Sequence, residues 1–341
     1  MAIYLGILLF AFITASIAIV PYIDLLYRLR FLNRAPIHPA TPLEDTEFSA
    51  LSQKDQWKIG TPIGGGVLII VLVSLLFYLL FPMLIKFGVY ITSVFPRRPQ
   101  LNVIFFTFIS FGLVGLYDDL IKVFHLAPRS DWKIKTAFEI IFSLLSAYLI
   151  RTTLHVGMVY FPLLGILHLG WLYIPVAGAI IFFFCRAMDI TDGMDGLSSG
   201  LLIICLMAFW AISVSILDTV LSTFIALWIG SLLAFLYFNI YPARIWLGNA
   251  GSLSFGATLA VTGLLLGKIS VLFLIGGIFA LEAFMHYSQR LSYLLFKRRL
   301  FPVTPLHYYL ESQGWSEPKI VQRLWLVGII LDFVGLWLAT A

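Results

Sequence analysis

The chain has 341 residues, 61% hydrophobic and 11% charged, with a formal net charge of +5. A soluble domain carries about 25% charged residues, so this composition excludes a water-soluble enzyme and describes an integral membrane protein. The basic excess lies in loops beside apolar runs, where it orients the chain and faces anionic substrates; no nucleic acid is expected as a partner.

A bilayer crossing needs about 20 apolar residues. Ten runs qualify in chain order, at 3–29, 62–85, 100–117, 134–152, 169–187, 194–215, 219–238, 251–267, 270–294 and 320–340. The first has no basic residue before it and is too long for the apolar core of a cleavable leader, so it reads as a retained span. The expected fold is all-α, a polytopic bundle of about ten transmembrane helices. It forms one membrane-embedded domain over 1–341, with active-site loops at 30–61, 118–133, 186–194, 239–250 and 295–319. An even count puts both termini on one side. Of the 22 basic residues only Lys86, Arg97, Arg98, Arg151 and Lys268 border the first-terminus side. The positive-inside rule then makes the other face cytoplasmic and both termini extracytoplasmic. Nearly all acids share the cytoplasmic face, with Asp218, Glu282 and Asp332 as exceptions. Cys185 and Cys205 lie in apolar runs without a disulfide pattern and read as packed thiols.

Four stretches carry chemistry. Lys58-Ile59-Gly60-Thr61-Pro62-Ile63-Gly64-Gly65-Gly66 is a breaker cluster opening a helix. Its N–H groups suit a phosphate, and its glycines equally suit close packing between spans. Asp118 and Asp119 end the third run with Lys122 one turn on; adjacent carboxylates repel unless a cation sits between them. They read as a phosphate–Mg²⁺ site or as a capped, solvated helix end. Asp189-Ile190-Thr191-Asp192-Gly193-Met194-Asp195-Gly196-Leu197 puts three carboxylates at the mouth of a membrane segment, a costly arrangement. Asp192 and Asp195 are three apart and read as facing one ligand, with Gly193 and Gly196 letting the backbone approach it. Such oxygens suit Mg²⁺, which binds through one or two carboxylates plus substrate phosphates. Asn239 ends a run, Asn249 reads as an ordinary helix cap, and His307 with Tyr308 and Tyr309 is either structural or a ligand for a diphosphate, base or sugar. Acidic clusters, lysines and a glycine loop at one mouth of a bundle point to phosphoryl transfer between a soluble anion and a lipid. A transporter would line a midplane path instead.

In order from Lys58 to Trp325 these motifs resemble the polyprenyl-phosphate N-acetylhexosamine-1-phosphate transferases. Lys58-x-Gly-Thr-Pro-x-x-Gly-Gly is similar to that family's early loop, and Gly115 to Lys122 to its G-x-x-DD-x-x-K. Thr191 to Leu197 is similar to TDGLDGL, and Phe238-Asn239 through Pro242-Ala243 to FN…PA. Pro305-Leu306-His307 to Glu311, with Gly314-Trp315, is similar to PLHHHxE…GW of the muramoyl-pentapeptide branch. The resemblance implies attack by undecaprenyl phosphate on UDP-MurNAc-pentapeptide, with release of UMP and Mg²⁺ as cofactor, in a bacterial plasma membrane. A homodimer is the family expectation. By matching positions, Asp192 is a Mg²⁺ ligand, and Asp118 and Asp119 handle lipid phosphate or a proton. Asp195 serves the uridine or diphosphate. Lys58, Lys122 and Lys135 (Lys133 in the alternative register) bind substrate, as do Asn239, Tyr308 and Tyr309. His307 takes the first histidine position and counts with the aspartates as catalytic.

Three departures stand out. The family's metal-binding aspartate in G-D-x-G-S is Asn249, which brings no charge to a hard cation. Its N-A-x-N is Arg186-Ala187-Met188-Asp189, where Arg186 and Asp189 are spaced to pair and Asp189 is a substitute metal ligand. Two histidines are tyrosines. Two readings follow: a working transferase with a rearranged metal site, or a relative that binds nucleotide sugar or lipid without turnover. A third uses UDP-GlcNAc, against which the Pro305–Trp315 segment argues.

Overall fold

The computed structural model describes residues 2–33, 58–86, 88–124, 132–161 and 165–340. Its helices in chain order are α1 (Ala2–Arg28), α2 (Gly65–Lys86), α3 (Arg97–Phe124), α4 (Trp132–Thr153), α5 (Tyr173–Thr191) and α6 (Leu197–Ser215). There follow α7 (Thr219–Asn239), α8 (Gly248–Leu265), α9 (Ile269–Ile275), α10 (Gly277–Phe296), α11 (Leu306–Ser312) and α12 (Glu317–Thr340). The expected loops 30–61 and 118–133 include 34–57 and 125–131, which lie outside the described residues.

Every expected apolar run contains helix, and fewer than the ten expected crossings meet a test of length and apolarity. Among the described residues seven helices are long and apolar enough to cross a membrane, and α9 with α10 make an eighth if taken as one span. That pair is bent by 83° at Gly276, so the run 270–294 is not one straight helix. α4 carries Lys133, Lys135, Glu139 and Arg151, and α8 opens on Gly-Asn-Ala-Gly-Ser, which keeps both below that apolarity. A short antiparallel hairpin, β1 (Met158–Phe161) with β2 (Gly165–His168), joins α4 to α5 at the end remote from the acidic loops and is an addition to the expected all-helical fold.

α7 is the hub. Its Trp228 is fully buried and meets the rings of Phe108 on α3, Phe255 on α8 and Phe224. α1 buries Ile7, Ala11, Ala15 and Ile19, every fourth residue and hence one seam. That seam packs on α7, where a Cβ at Gly230 would overlap the Leu8 carbonyl. Its other face is apolar and exposed, as a lipid contact requires. Between helices in lipid the hydrophobic effect gives little, so close approach through small residues does the work. Gly115 of α3 lies so near the Asn249 carbonyl of α8 that a side chain would overlap it, and Gly66 lies likewise on Gly251.

This packing decides the glycine loop. The N–H groups of Gly64 and Gly65 donate to the Trp246 carbonyl at 3.1 and 2.9 Å, and Gly66 donates to Leu247 at 2.8 Å. They are taken by backbone, so the glycines serve packing and no phosphate cradle is left there. Cys185 and Cys205 are free and buried, as expected.

Candidate active site

The polar residues sit at helix ends, and the antiparallel course of the chain brings those ends together. α3, α5 and α7 finish where α4, α6, α8 and α12 begin. At the end of α3 two adjacent carboxylates are stabilised by different means. Asp118 Oδ2 receives Lys122 Nζ and Lys135 Nζ, each at 2.9 Å, and the Asn249 side-chain amide donates to the same oxygen. Asp119 instead accepts the backbone N–H groups of Asn249 and Ala250, both at 3.0 Å. These belong to the first turn of α8, whose N–H groups have no partner within the helix. Asn249 is therefore not the cap. Leu247 precedes α8 without a side-chain cap, and Asp119 supplies one from α3.

Lys135 is buried and lies 3.5 Å from Asp189 as well as 2.9 Å from Asp118. Lys133, two residues earlier, faces outward and is exposed, because two residues turn a helix by more than half a revolution. Lys135 and Glu139 share one face of α4, and Arg186 and Asp189 share one face of α5. Arg186 Nη1 is 3.6 Å from Asp189, the pairing expected from spacing. Its closer partner is Glu139, with Nε 2.8 Å from Oε2, while Nη2 donates to Thr136 Oγ1 at 2.6 Å. Sequence reasoning passed over Glu139; a carboxylate four residues after a lysine inside an apolar run was the available signal.

In the acidic loop, Asp192 and Asp195 do not share one direction. Asp195 accepts the Ala243 N–H at 2.9 Å and the Trp246 indole N–H at 3.1 Å, which anchors the loop after α7. Among the described residues Asp192 receives the Ser198 hydroxyl alone. Gly196 takes a left-handed φ of 76° where α6 starts, a conformation that favours glycine. Asn239 is buried, accepts from Ser199 and donates to the Ile245 carbonyl, so it folds the loop to α8. Lys58 pairs with Glu317 at 2.9 Å, and Glu317 also accepts the Asp195 N–H at 2.7 Å. Glu317, the first residue of α12, was also missed. The Tyr308 hydroxyl donates to the Gly193 carbonyl at 3.3 Å. His307 is fully buried against Glu282. Tyr309 is half-buried, and its hydrogen bonds run through its backbone.

Asp118, Glu139, Asp189 and Glu317 meet the four bases Lys58, Lys122, Lys135 and Arg186 in these ion pairs. Asp119 and Asp195 are served by backbone or indole N–H groups; Asp192 has one hydroxyl. Burial, then the charges of Asp189, Asp119 and Asp195, push the Asp192 carboxyl up to about 7 against the Ser198 hydrogen bond. Among the described residues no group of three His, Cys, Asp or Glu side chains could hold a metal ion. Asp189 is engaged by Lys135 and Arg186, and Asn249, whose Nδ2 donates to Asp118, brings only a neutral amide oxygen. The donor set therefore fits a Mg²⁺ held by Asp192 together with substrate phosphates and does not fit an all-protein cage.

Residues 101–267 match the profile of glycosyl transferase family 4. The phospho-N-acetylmuramoyl-pentapeptide-transferase of Oceanobacillus iheyensis is 32% identical over 300 residues, covering 84% of this chain and 86% of the relative. The protein of the same description from Staphylococcus epidermidis is 32% identical over 84% of this chain and 87% of its own. That from Borrelia turicatae is 34% identical over 82% of each.

Proposed function

The chain belongs to the phospho-N-acetylmuramoyl-pentapeptide-transferases of glycosyl transferase family 4, and from that membership we propose its reaction. It moves phospho-N-acetylmuramoyl-pentapeptide from UDP-MurNAc-pentapeptide to undecaprenyl phosphate, releasing UMP and leaving lipid I in a bacterial plasma membrane. One observation carries this reading: four bases and an uncompensated Asp192 gather at a single end of a membrane bundle, where a lipid phosphate and a soluble nucleotide sugar can meet. The distribution of basic residues supports placing that end in the cytoplasm.

An oxygen of the lipid phosphate attacks the sugar-side phosphorus of the diphosphate. The new P–O bond forms there as the bond to the bridging oxygen breaks, and that oxygen leaves with UMP. A phosphate monoester has its second pKa near 6, so the nucleophile is already ionised at neutral pH and needs no strong base. The barrier lies in bringing anions together. Lys122, with 53% of its side chain exposed, and Lys135 reach phosphate oxygens from the Asp118 side. Asp118 holds both ammonium groups in place, and Asp119 fixes α8 behind them. Lys58 and Asp195, joined through Glu317, shape the nucleotide side with Asn239; Tyr308 and Tyr309 offer aromatic surface. Mg²⁺, held by Asp192 and the diphosphate, supplies charge neutralisation when bound.

The test is UMP release by the purified protein in detergent with both substrates and a Mg²⁺ titration. Mg²⁺-dependent release is expected. A second reading, binding without turnover, is favoured by one departure: Asn249, whose Nδ2 donates to Asp118, offers a cation only a neutral amide oxygen. Nucleotide-sugar binding with no UMP would replace the first reading with the second. Release from UDP-GlcNAc but not from UDP-MurNAc-pentapeptide would assign the chain to the related branch.

A further inference from the structure

Glu282 is expected on the extracytoplasmic side, yet it meets the acidic-loop end of the bundle. It lies on α10, just past the Gly276 bend, and is fully buried. Its Oε1 accepts the His307 backbone N–H at 3.2 Å, and its Oε2 lies 3.1 Å from His307 Nδ1. The second is a close charge contact whose angle falls short of a hydrogen bond. α11 has no side-chain cap from Pro305, so Glu282 also caps it from another helix.

A bare Nδ1 lone pair would face a carboxylate oxygen and repel it, so the ring proton belongs on Nδ1. The other ring nitrogen is then the informative one. His307 Nε2 is buried and has no hydrogen-bond partner among the described residues. A Cβ built on Gly193 would lie 2.7 Å from it, so Nε2 faces the backbone of the loop between Asp192 and Asp195.

We propose that Glu282 is a positioning residue that holds His307 with its proton on Nδ1 and turns Nε2 into the acidic loop. There the ring packs against Gly193 and holds the backbone of the loop between Asp192 and Asp195 in place. The effect on turnover rests on the transferase reading; the orientation of the ring does not.

The experiment has two arms that separate them. In the first, ¹⁵N-histidine solid-state NMR of the full chain in lipid, with H307Q for assignment, reads which nitrogen of His307 carries the proton. A protonated Nδ1 is expected in the parent. Glu282→Gln, whose amide offers either N–H or C=O to the ring, is expected to give a mixture; Glu282→Ala, which removes the carboxylate altogether, keeps the arm usable should that variant fail to fold. In the second, UMP release gives a cycle over E282Q, H307A and the double variant. We expect about tenfold loss of kcat in E282Q, ~10–100-fold in H307A, and no further loss in the double variant. An unchanged His307 spectrum in the Glu282 variants, or single losses that multiply in the double variant, overturns the proposal. A parent that releases no UMP removes the transferase reading, and the spectrum still decides the positioning role.

Discussion

Arg186→Asn tests the charge network with the fewest assumptions about the reaction. Glu139 has no exposed side-chain surface, and its cation partner is Arg186, 2.8 Å away. Two unit charges about 4 Å apart interact by about 4 kcal/mol at an effective dielectric of 20. Removing one member of a buried pair costs about 3–5 kcal/mol, because the survivor stays desolvated and unpaired. The 3.6 Å contact to Asp189 adds less, since both groups are partly exposed and Asp189 keeps Lys135. R186N is therefore expected to lose about 3–5 kcal/mol. Glu139→Gln in the same chain removes the stranded charge and should bring the double variant to within about 1–2 kcal/mol of the parent. The assay is SDS-titrated unfolding in mixed micelles at pH 7.5, followed by tryptophan fluorescence, for both single variants and the double variant. An R186N stability within about 1 kcal/mol of the parent, or a double variant that simply adds the two losses, would refute the pairing as the reason Arg186 is tolerated in the bundle.

Asn249→Asp puts a carboxylate where an amide N–H now meets Asp118. Its melting temperature should drop in EDTA and recover in millimolar Mg²⁺, with turnover changed less than about threefold; a large rise in turnover would mark the parent as impaired. Asp192→Asn should abolish UMP release while stabilising the metal-free protein above pH 7. The sign follows from Asp192 rising from 3.8 to about 7 on folding. The folded state then holds that proton more tightly than the unfolded state, so the parent loses stability as pH climbs from about 4 to 7 and the asparagine does not. A melting profile in EDTA with the same pH slope in both proteins would contradict this. Lys135→Ala should impair turnover and stability together, whereas Lys133→Ala should shift stability by no more than about 0.5 kcal/mol; equal effects on thermal melting would reverse the assignment. Gly115→Ala should cost about 1–3 kcal/mol or prevent folding, because the added methyl overlaps the Asn249 carbonyl; detergent stability equal to the parent would count against the α3–α8 contact.

Membrane class and helical content were legible in the chain, because apolar length and the paucity of charge are properties that each segment carries alone. The motifs around Asp118, Asp192, Asn239 and His307 were legible for the same reason: their residue types and spacings are local. What each side chain does was decided by partners distant in sequence. Asp119 and Asn249 are 130 positions apart, and only the packing of α3 on α8 makes the first a cap for the second. Lys135, and not Lys133, enters the cluster because α4 presents one face to α5. Glu282 in its apolar run and Glu317 at the head of the last helix belong to no motif, since a single acid becomes meaningful only when its counterpart arrives on another helix. The bend at Gly276 and the spent N–H groups of the glycine loop are likewise products of neighbouring backbone. A chain spells out which segments leave water; which buried charges face one another is settled only when the helices pack, because an isolated helix leaves its polar end groups without partners.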